Sequence, residues 1–576
     1  MSDPQQALGA LVRHAIATAF GPAHAGCDAM VRRSAHADLQ IDAALPLAQA
    51  LQMSPRAVAQ AIIAALPAND LIEAATIGGP GFINVTLRTA WLEAAATRAA
   101  ADERLAVPCV AQPERVVIDY CAPNVAKVMH VGHLRSTVIG DALARVLEFR
   151  GHTVIRQNHY GDWGTPMAML IEHLLETGCD ATALPELHQL YRAANERFTT
   201  DDAFRDRARH RVVLLQAGDP QTVEVWQRLV AVSRAAFERV YDQLGVTLQR
   251  SDERPESSYN DQLAPLADEL AATGLARESD GALCVFPDGY TTREGEPLPL
   301  IVRKHDGGFG YAATDLAALR YRSRELHATR ILYVVGAPQA RHLAMLFDAG
   351  RTAGWLAPPV RAEHVMFGSV LGTDGKMLRS RNGPLISLTG LIDNAIARAN
   401  TEFDTLNEKR EPTVVDPAER AALMRAVGVG SIKYADLSCE RGNDYVFDVG
   451  RMVTFRGDSA GYIQYAHARC RGILGRAGTA ATRSAIRCTA REERALAFTL
   501  LRLGSAIALV DERLEPHHLA GHLHDVAMRF TDFYGACDVL DATPELRASR
   551  LALTELTART LAHGLQLLGI VAPDRM

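Results

Sequence analysis

Arg115-Val116-Val117-Ile118-Asp119-Tyr120 runs directly into Cys121-Ala122-Pro123-Asn124-Val125-Ala126-Lys127-Val128-Met129-His130-Val131-Gly132-His133, and beyond it Leu134, Val138, Ala142, Val146 and Phe149 recur at helical spacing. The first run is short, almost continuously apolar and rich in β-branched residues, as suits a strand buried on both faces. Gly151 ends the helix, and Thr153-Val154-Ile155-Arg156 starts a second strand at once. Two strands joined through a helix lie parallel, and the loop at the carboxyl end of the first is where such sheets take ligands. That loop holds His130 and His133, three apart at the helix start. There their ring N–H groups can add to the backbone N–H groups and the helix dipole, a constellation that suits phosphate oxygens. Gly132, without a Cβ, leaves room for an adenine or ribose against the backbone. The plain alternative is that the two rings only cap and pack the helix.

Working outward, Met167 to Leu244 is mostly helical and charged, as an insertion beside the sheet would be. Strand signals return at Ile331-Leu332-Tyr333-Val334-Val335 and near Val365-Met366-Phe367. Upstream, residues 2–20 read as an amphipathic helix with Leu8, Leu11, Val12 and Ala15 on one face, and Phe82-Ile83-Asn84-Val85-Thr86-Leu87 reads as a strand introduced by a glycine-rich turn. Beyond Pro417 the pattern is helical to the end, with Leu553, Leu556, Leu561, Leu565 and Leu568 at core spacing. The expected organisation is an α+β domain over 1–110, an α/β parallel-sheet domain of the Rossmann-like kind with a helical insertion over 111–415, and an all-α bundle over 416–576.

A chain of 576 residues is too long for one core and suits several domains. Its net charge of -6 argues against nonspecific coating of nucleic acid, which depends on summed positive charge, but allows a local basic track. Nine scattered cysteines, with no C-x-x-C pair, give no zinc-site spacing and suit a reduced, cytoplasmic compartment. No run approaches the ~18 apolar residues of a membrane span, and the amino terminus carries charges inside its apolar stretch, unlike a signal peptide.

A second segment, Gly375-Lys376-Met377-Leu378-Arg379-Ser380-Arg381-Asn382-Gly383, offers Lys376 and Arg379 to a developing negative charge, although such a run alone is ordinarily a solvated basic turn. Together the two segments resemble the paired signatures of class I aminoacyl-tRNA synthetases, His-Ile-Gly-His and Lys-Met-Ser-Lys-Ser. The surrounding text, NHYGDWGT, ESSYND, KHDGGFGYAATDLAAL, YADLSCERGNDYVFD and GYIQYAHARCR, narrows the resemblance to the arginyl-tRNA synthetases. The resemblance implies ATP-dependent activation of arginine to an adenylate, then transfer to the terminal ribose of tRNA(Arg). ATP is the co-substrate with Mg²⁺, no structural metal is expected, and family members are usually monomers.

The resemblance also implies the site residues. Lys127, His130, Gly132, His133 and Lys376 would hold ATP, with His130, His133, Lys376 and Arg379 acting in catalysis. A guanidinium is planar and always charged, so its pocket needs acceptors, and Asp119, Cys121, Asn124, Tyr311, Asp315 and Gln339 are the implied set for arginine. Phe82 and Asn84 match a tRNA contact in the N-terminal domain, and Tyr462, Tyr465 and Met576 match contacts with the anticodon loop. Alone, Asp315 would read as a helix cap and the two tyrosines as bundle core. Three departures stand out: Arg379 replaces the second lysine of its signature, Cys121 stands where serine is common, and Pro166-Met167 follows GDWGT. Rival readings are a lysine-specific relative, a catalytically silent tRNA-binding protein, and a small-molecule nucleotidylyltransferase, which has no use for the large helical C-terminal part.

Overall fold

The computed structural model describes residues 3–179, 183–378, 387–407, 416–478 and 484–576. The chain divides into two compact units, one formed by 110–453 with 568–570, the other by 1–109, 454–567 and 571–576.

The larger unit is built on four strands, β1 (Arg115–Asp119), β2 (Thr153–Gln157), β3 (Arg330–Tyr333) and β4 (Arg361–His364), in the order β4-β3-β1-β2 and all parallel. β1 and β3 are buried almost throughout, which is why both read as apolar runs. The order reverses between β1 and β3, and at such a switch point the connections leave on opposite sides and open a crevice beyond the carboxyl ends. The apolar run Val365–Phe367 is not the outer strand but its exit. β4 itself is the polar Arg361-Ala362-Glu363-His364, because an edge strand half open to water needs no continuous apolar face.

Helix α1 (Val131–Arg150) joins β1 to β2. It buries the expected Leu134, Val138, Ala142 and Val146, and also Arg135, Ser136, Thr137 and Asp141, so it is enclosed on nearly all sides. Each buried polar group has a partner: Ser136 Oγ accepts from Cys121 N at 2.9 Å and donates to Val334 O at 2.7 Å, tying the exits of β1 and β3. The insertion is four helices, Gly164–Thr177, Leu184–Thr200, Asp202–Gln216 and Pro220–Leu244. An antiparallel sheet of three strands, Ala276–Ser279, Ala282–Val285 and Leu300–Arg303, follows it. Next come α2 (Tyr311–Arg324), α3 (Ala340–Thr352), α4 (Leu388–Asn407) and α5 (Pro417–Leu437). Helix α5 belongs to this unit and not to a bundle beginning at 416. Its Asp436 pairs with buried Arg135 of α1 at 3.2 Å, and Tyr445-Val446 then pairs in parallel with Val370-Leu371, so the chain stays with the sheet unit until 453.

In the other unit the strands Val31–Arg33, Leu39–Ile41, Phe82–Leu87 and Ile72–Gly78 lie side by side in that order, antiparallel. The helices from Ala460 to Leu567 complete it. Paired charges join its N- and C-terminal parts: Arg494 donates to both carboxylate oxygens of Asp38, at 2.8 and 2.7 Å, and Arg33 pairs with Asp525 at 2.7 Å.

Candidate active site

At the start of α1, His130 Nδ1 accepts from Gly132 N and His133 Nδ1 accepts from His130 N, both at 3.1 Å, a reciprocal capping box. The capping alternative and the phosphate reading therefore describe the same geometry. Burial, then the neighbouring charge of Lys127, lowers the pKa of His130; burial, then His130, pushes His133 down to about 3. Both rings are neutral at pH 7, and since each Nδ1 accepts, each proton sits on Nε2, leaving two N–H donors unengaged by the cap. A Cβ on Gly132 would stand 2.9 Å from His130 Cε1, so the missing side chain is what lets the His130 ring fold over the first turn.

The second segment begins on a tight turn: Gly372 N donates to Lys376 O at 2.7 Å and Lys376 N to Asp374 Oδ1 at 3.1 Å, with the Lys376 side chain exposed. Arg379 lies outside the described residues. Where the chain is again described, Ser387 bridges to His130 and Leu388 N donates to Met129 O at 2.9 Å, so the exit of the second segment is stitched to the first.

A cavity of about 370 Å³ opens against the loop between β1 and α1, lined by Asn124, Lys127, Gly161, Trp163, Glu256 and Tyr311 among others. Asn124 reaches it because Gly161 has no side chain: a Cβ there would fall 2.5 Å from Asn124 Oδ1. Lys127 Nζ lies over the Tyr191 ring at 4.8 Å. Tyr311 opens α2, is 69% exposed, and its ring stands 5.0 Å from that of His342. One turn on, Asp315 Oδ2 accepts from His342 Nε2 at 2.6 Å, and Asp315 Oδ1 lies 3.6 Å from His159 Nε2. Asp315 is the fifth residue of α2, whose cap is Gly310, so it is not a helix cap. Burial opposes its charge, but the two histidines outweigh this and hold its pKa below the carboxylate range. Gln339 is exposed at the start of α3, one turn before His342.

Asp119 ends β1, buried, with Oδ2 accepting from Arg322 Nη2 at 2.8 Å and Oδ1 buried without a partner. Cys121 is placed differently from the rest of the arginine set: its thiol is buried against Tyr241 Oη at 3.5 Å, and burial first of all raises its pKa to about 11. The backbone at Cys121 and Ala122 is left-handed, with φ of 76° and 41°, turning the chain sharply out of the strand.

Sequence reasoning assigned no role to Glu256, His159, His342 or Arg322. Glu256 sits in the ESSYND segment, fixed by Ser257, whose N and Oγ donate to buried Asp162 at 2.9 and 2.7 Å. Burial dominates in raising Glu256 to about 7. An acidic residue three positions before a tyrosine, in Glu256-Ser257-Ser258-Tyr259, was the available signal, and it is weak.

In the other unit, Phe82 and Asn84 point to the less buried side of their strand, where Asn84 Oδ1 accepts from Ser34 Oγ at 2.8 Å. Tyr462 and Tyr465 are half-buried on the helix Ala460–Ala477, neither fully core nor free. Tyr462 Oη meets Thr531 Oγ1 at 2.9 Å, and Arg469 donates to Tyr465 Oη at 2.9 Å. The last residues run along the same helix, with Gln464 Nε2 donating to Val571 O at 2.8 Å and Arg471 facing Asp574 at 3.3 Å, and Met576 is half-buried at their end.

Residues 97–449 match the family described as tRNA synthetases class I (R), catalytic domain; 463–576 match the DALR anticodon binding domain; 6–87 match the arginyl tRNA synthetase N terminal domain. The chain belongs to the arginyl-tRNA synthetase family. It is 50% identical over 585 residues to the arginine–tRNA ligase of Thermobifida fusca, covering 100% of both chains, and 49% identical to that of Frankia casuarinae, covering 96% of both. Among solved structures, the arginyl-tRNA synthetase of Plasmodium falciparum superposes with a TM-score of 0.83 at 26% identity, covering 100% of this chain and 99% of that one. The Thermus thermophilus enzyme gives 0.82 at 26%, covering 99% and 100%. The expected fold class holds on every count: a parallel-sheet α/β catalytic unit, an α+β N-terminal part and a helical C-terminal part.

Proposed function

We propose that the chain joins arginine to tRNA(Arg) in two steps at the carboxyl edge of β1 and β3. The arginine carboxylate attacks the α-phosphorus of ATP, releasing pyrophosphate, and the terminal ribose hydroxyl of tRNA then attacks the carbonyl of the adenylate. Class membership makes the enzyme an ATP-using aminoacyl-tRNA ligase; the residue roles are our reading. Neither step needs a protein nucleophile, so positioning and charge stabilisation carry the rate. The Nε2–H groups of His130 and His133 would donate to phosphate oxygens, and Lys127, Lys376 and Arg379 would meet the leaving pyrophosphate. Mg²⁺ would enter with ATP as part of that substrate.

The observation that carries the arginine assignment is the acidic lining around α2. Asn124, Glu256 and Tyr311 line the cavity, Asp315 bears electrostatically on Glu256 and on His159, and Asp119 bears on the same His159; a planar five-donor cation is the ligand such acceptors fit. Cys121 would contribute through its backbone turn, since its thiol is engaged. Phe82 and Asn84, and Tyr462, Tyr465 and Met576, would contact tRNA through stacking and polar edges. We propose that 1–110 contacts the tRNA, that the sheet unit is catalytic and that the C-terminal helices bind the anticodon. No helix among the described residues is long and apolar enough to cross a membrane, a reduced, cytoplasmic compartment fits the scattered cysteines, and a monomer is what the family resemblance implies.

The test is charging of total tRNA by the purified chain with ATP and one amino acid at a time. Arginine alone supports charging in this reading. Charging with lysine, or none with arginine, overturns it.

A further inference from the structure

The register sets Gln157 of β2, Asp119 of β1 and Tyr333 of β3 abreast at the carboxyl edge of the sheet. One side chain reaches all three. Arg322, wholly buried, donates from Nε to Gln157 Oε1 at 2.7 Å and from Nη2 to Asp119 Oδ2 at 2.8 Å, and its guanidinium carbon lies 4.8 Å from the Tyr333 ring centroid. Arg322 comes from α2 seven residues after Asp315, two helical turns on the same face. It therefore pins to three strand ends the helix that carries Asp315 and Tyr311.

A buried ion pair is a poor way to gain stability, since apolar side chains of similar volume usually do as well. This pair is also incomplete. Asp119 Oδ1 and Arg322 Nη1 are buried without hydrogen-bond partners, and His159 Nε2 faces Asp315 Oδ1 at 3.6 Å, too long for a hydrogen bond. Leaving a buried carboxylate oxygen unpartnered is costly, and Asp119 bears on the same His159 that faces Asp315, so a donor reaching Asp119 Oδ1 would be well met there.

We propose that Arg322 is a positioning residue for the amino-acid pocket. It fixes Asp119 so that Oδ1 is presented to the donors of bound arginine, and it holds Asp315 at the matching height along the strand ends. The proposal rests on the arginine-pocket reading above. Arg322 itself does not touch substrate in this account; it acts through Asp119 and through α2.

The experiment compares Arg322→Gln, Arg322→Lys and Asp315→Asn in the full chain, measuring KM for arginine and for ATP in tRNA charging. Breaking one partner of a buried pair leaves the other charge uncompensated, so Arg322→Gln should raise the arginine KM by on the order of 10²-fold. The ATP KM should move by less than about threefold, within ordinary context effects. Arg322→Lys keeps the charge but loses the planar fork, and should recover part of the loss. Adding Asp119→Asn to Arg322→Gln should cost less than the sum of the two, because they act as one unit.

An unchanged arginine KM in Arg322→Gln, or equal rises for arginine and ATP, would show a general clamp of the sheet edge and overturn the proposal. If Arg322→Gln does not fold, Arg322→Lys carries the test, and an unaltered arginine KM in it overturns the proposal as well. Asp315→Asn separates the two layers: no effect there removes the pocket reading itself, whereas an effect there with none at Arg322 removes only this inference.

Discussion

The carboxyl edge of the parallel sheet and the tyrosine-bearing face of the C-terminal helices both suit ligand binding, but they are built in opposite ways. At the sheet edge the charges meet charges already in the protein: Asp119 on Arg322, Asp315 on His342 and near His159. On the helical face the groups are half exposed and mostly planar. Arg469 lies over Tyr465 at 4.7 Å and Tyr534 at 5.1 Å, and Tyr462 stands 5.8 Å from His524. A small, fully charged ligand must be met by fixed acceptors in a site that excludes water, and those acceptors have to be held before the ligand arrives. A nucleic-acid loop supplies its own stacking surfaces and tolerates adjustable partners. Removing a group should therefore be costly and selective in the first region and mild in the second.

The largest effect is expected for Asp315→Asn. It removes a buried formal charge facing the proposed guanidinium and leaves His342 and His159 without their anion, so the arginine KM should rise by on the order of 10²- to 10³-fold while the ATP KM barely changes. Equal changes for both substrates would blur the contrast, since Asp315 would then act on the whole site.

Glu256 sharpens it through pH. Burial raises its pKa to about 7, so in the free enzyme the carboxylate that would face arginine is lost as pH falls from 8 to 6, and the arginine KM should rise over that interval. His159, Asp315 and Asp162 are the neighbouring charges, and Asp162, raised to about 6 by burial, titrates below it. Glu256→Gln should flatten the profile near pH 7 and raise the arginine KM at pH 8 by about tenfold, a charge-assisted hydrogen bond's worth. Stability should move the other way. A carboxyl whose folded pKa is raised gives its full contribution at acid pH and loses it as pH climbs through 7, so at pH 8 the Gln variant should melt higher, by about 1–2 °C. A profile unchanged by the substitution would assign the pH dependence to another group.

The smallest effect is expected on the helical face. Tyr465→Ala should weaken tRNA binding by about five- to tenfold, the lower end for one lost stacking contact because the ring is half-buried, and leave the arginine KM unaltered. A shift in arginine KM without a shift in tRNA affinity would contradict the division of labour between the two regions.

How legible each region is in the sequence follows from the same contrast. The strand Arg115–Asp119, helix Val131–Arg150 and strand Thr153–Gln157 follow from apolar periodicity and a glycine stop, because their burial imposes a pattern on consecutive residues. β4 does not, since an edge strand with Arg361 and Glu363 carries no apolar signature. The placement of α5 depends on buried long-range contacts such as Asp436 with Arg135, 301 positions apart, and Lys433 Nζ with Leu244 O, 189 apart, which no local pattern announces. In the site, His130 and His133 stand out because their spacing and their place before a helix are local facts. Arg322 and His342 become significant only when the fold sets them against Asp119 and Asp315, 203 and 27 positions away. Cys121 lies in the right segment, but its thiol turns to Tyr241 because the left-handed backbone after β1 points it inward.

The central claim is that fixed carboxylates read the charge and fork of the guanidinium, and the most direct measurement is kcat/KM for tRNA charging with arginine against citrulline, its neutral isostere. A site of buried acceptors built for a cation should prefer arginine by on the order of 10⁴-fold, with the preference collapsing in Asp315→Asn. A preference of ~10-fold or less in the parent enzyme, or one left intact by Asp315→Asn, would contradict the account.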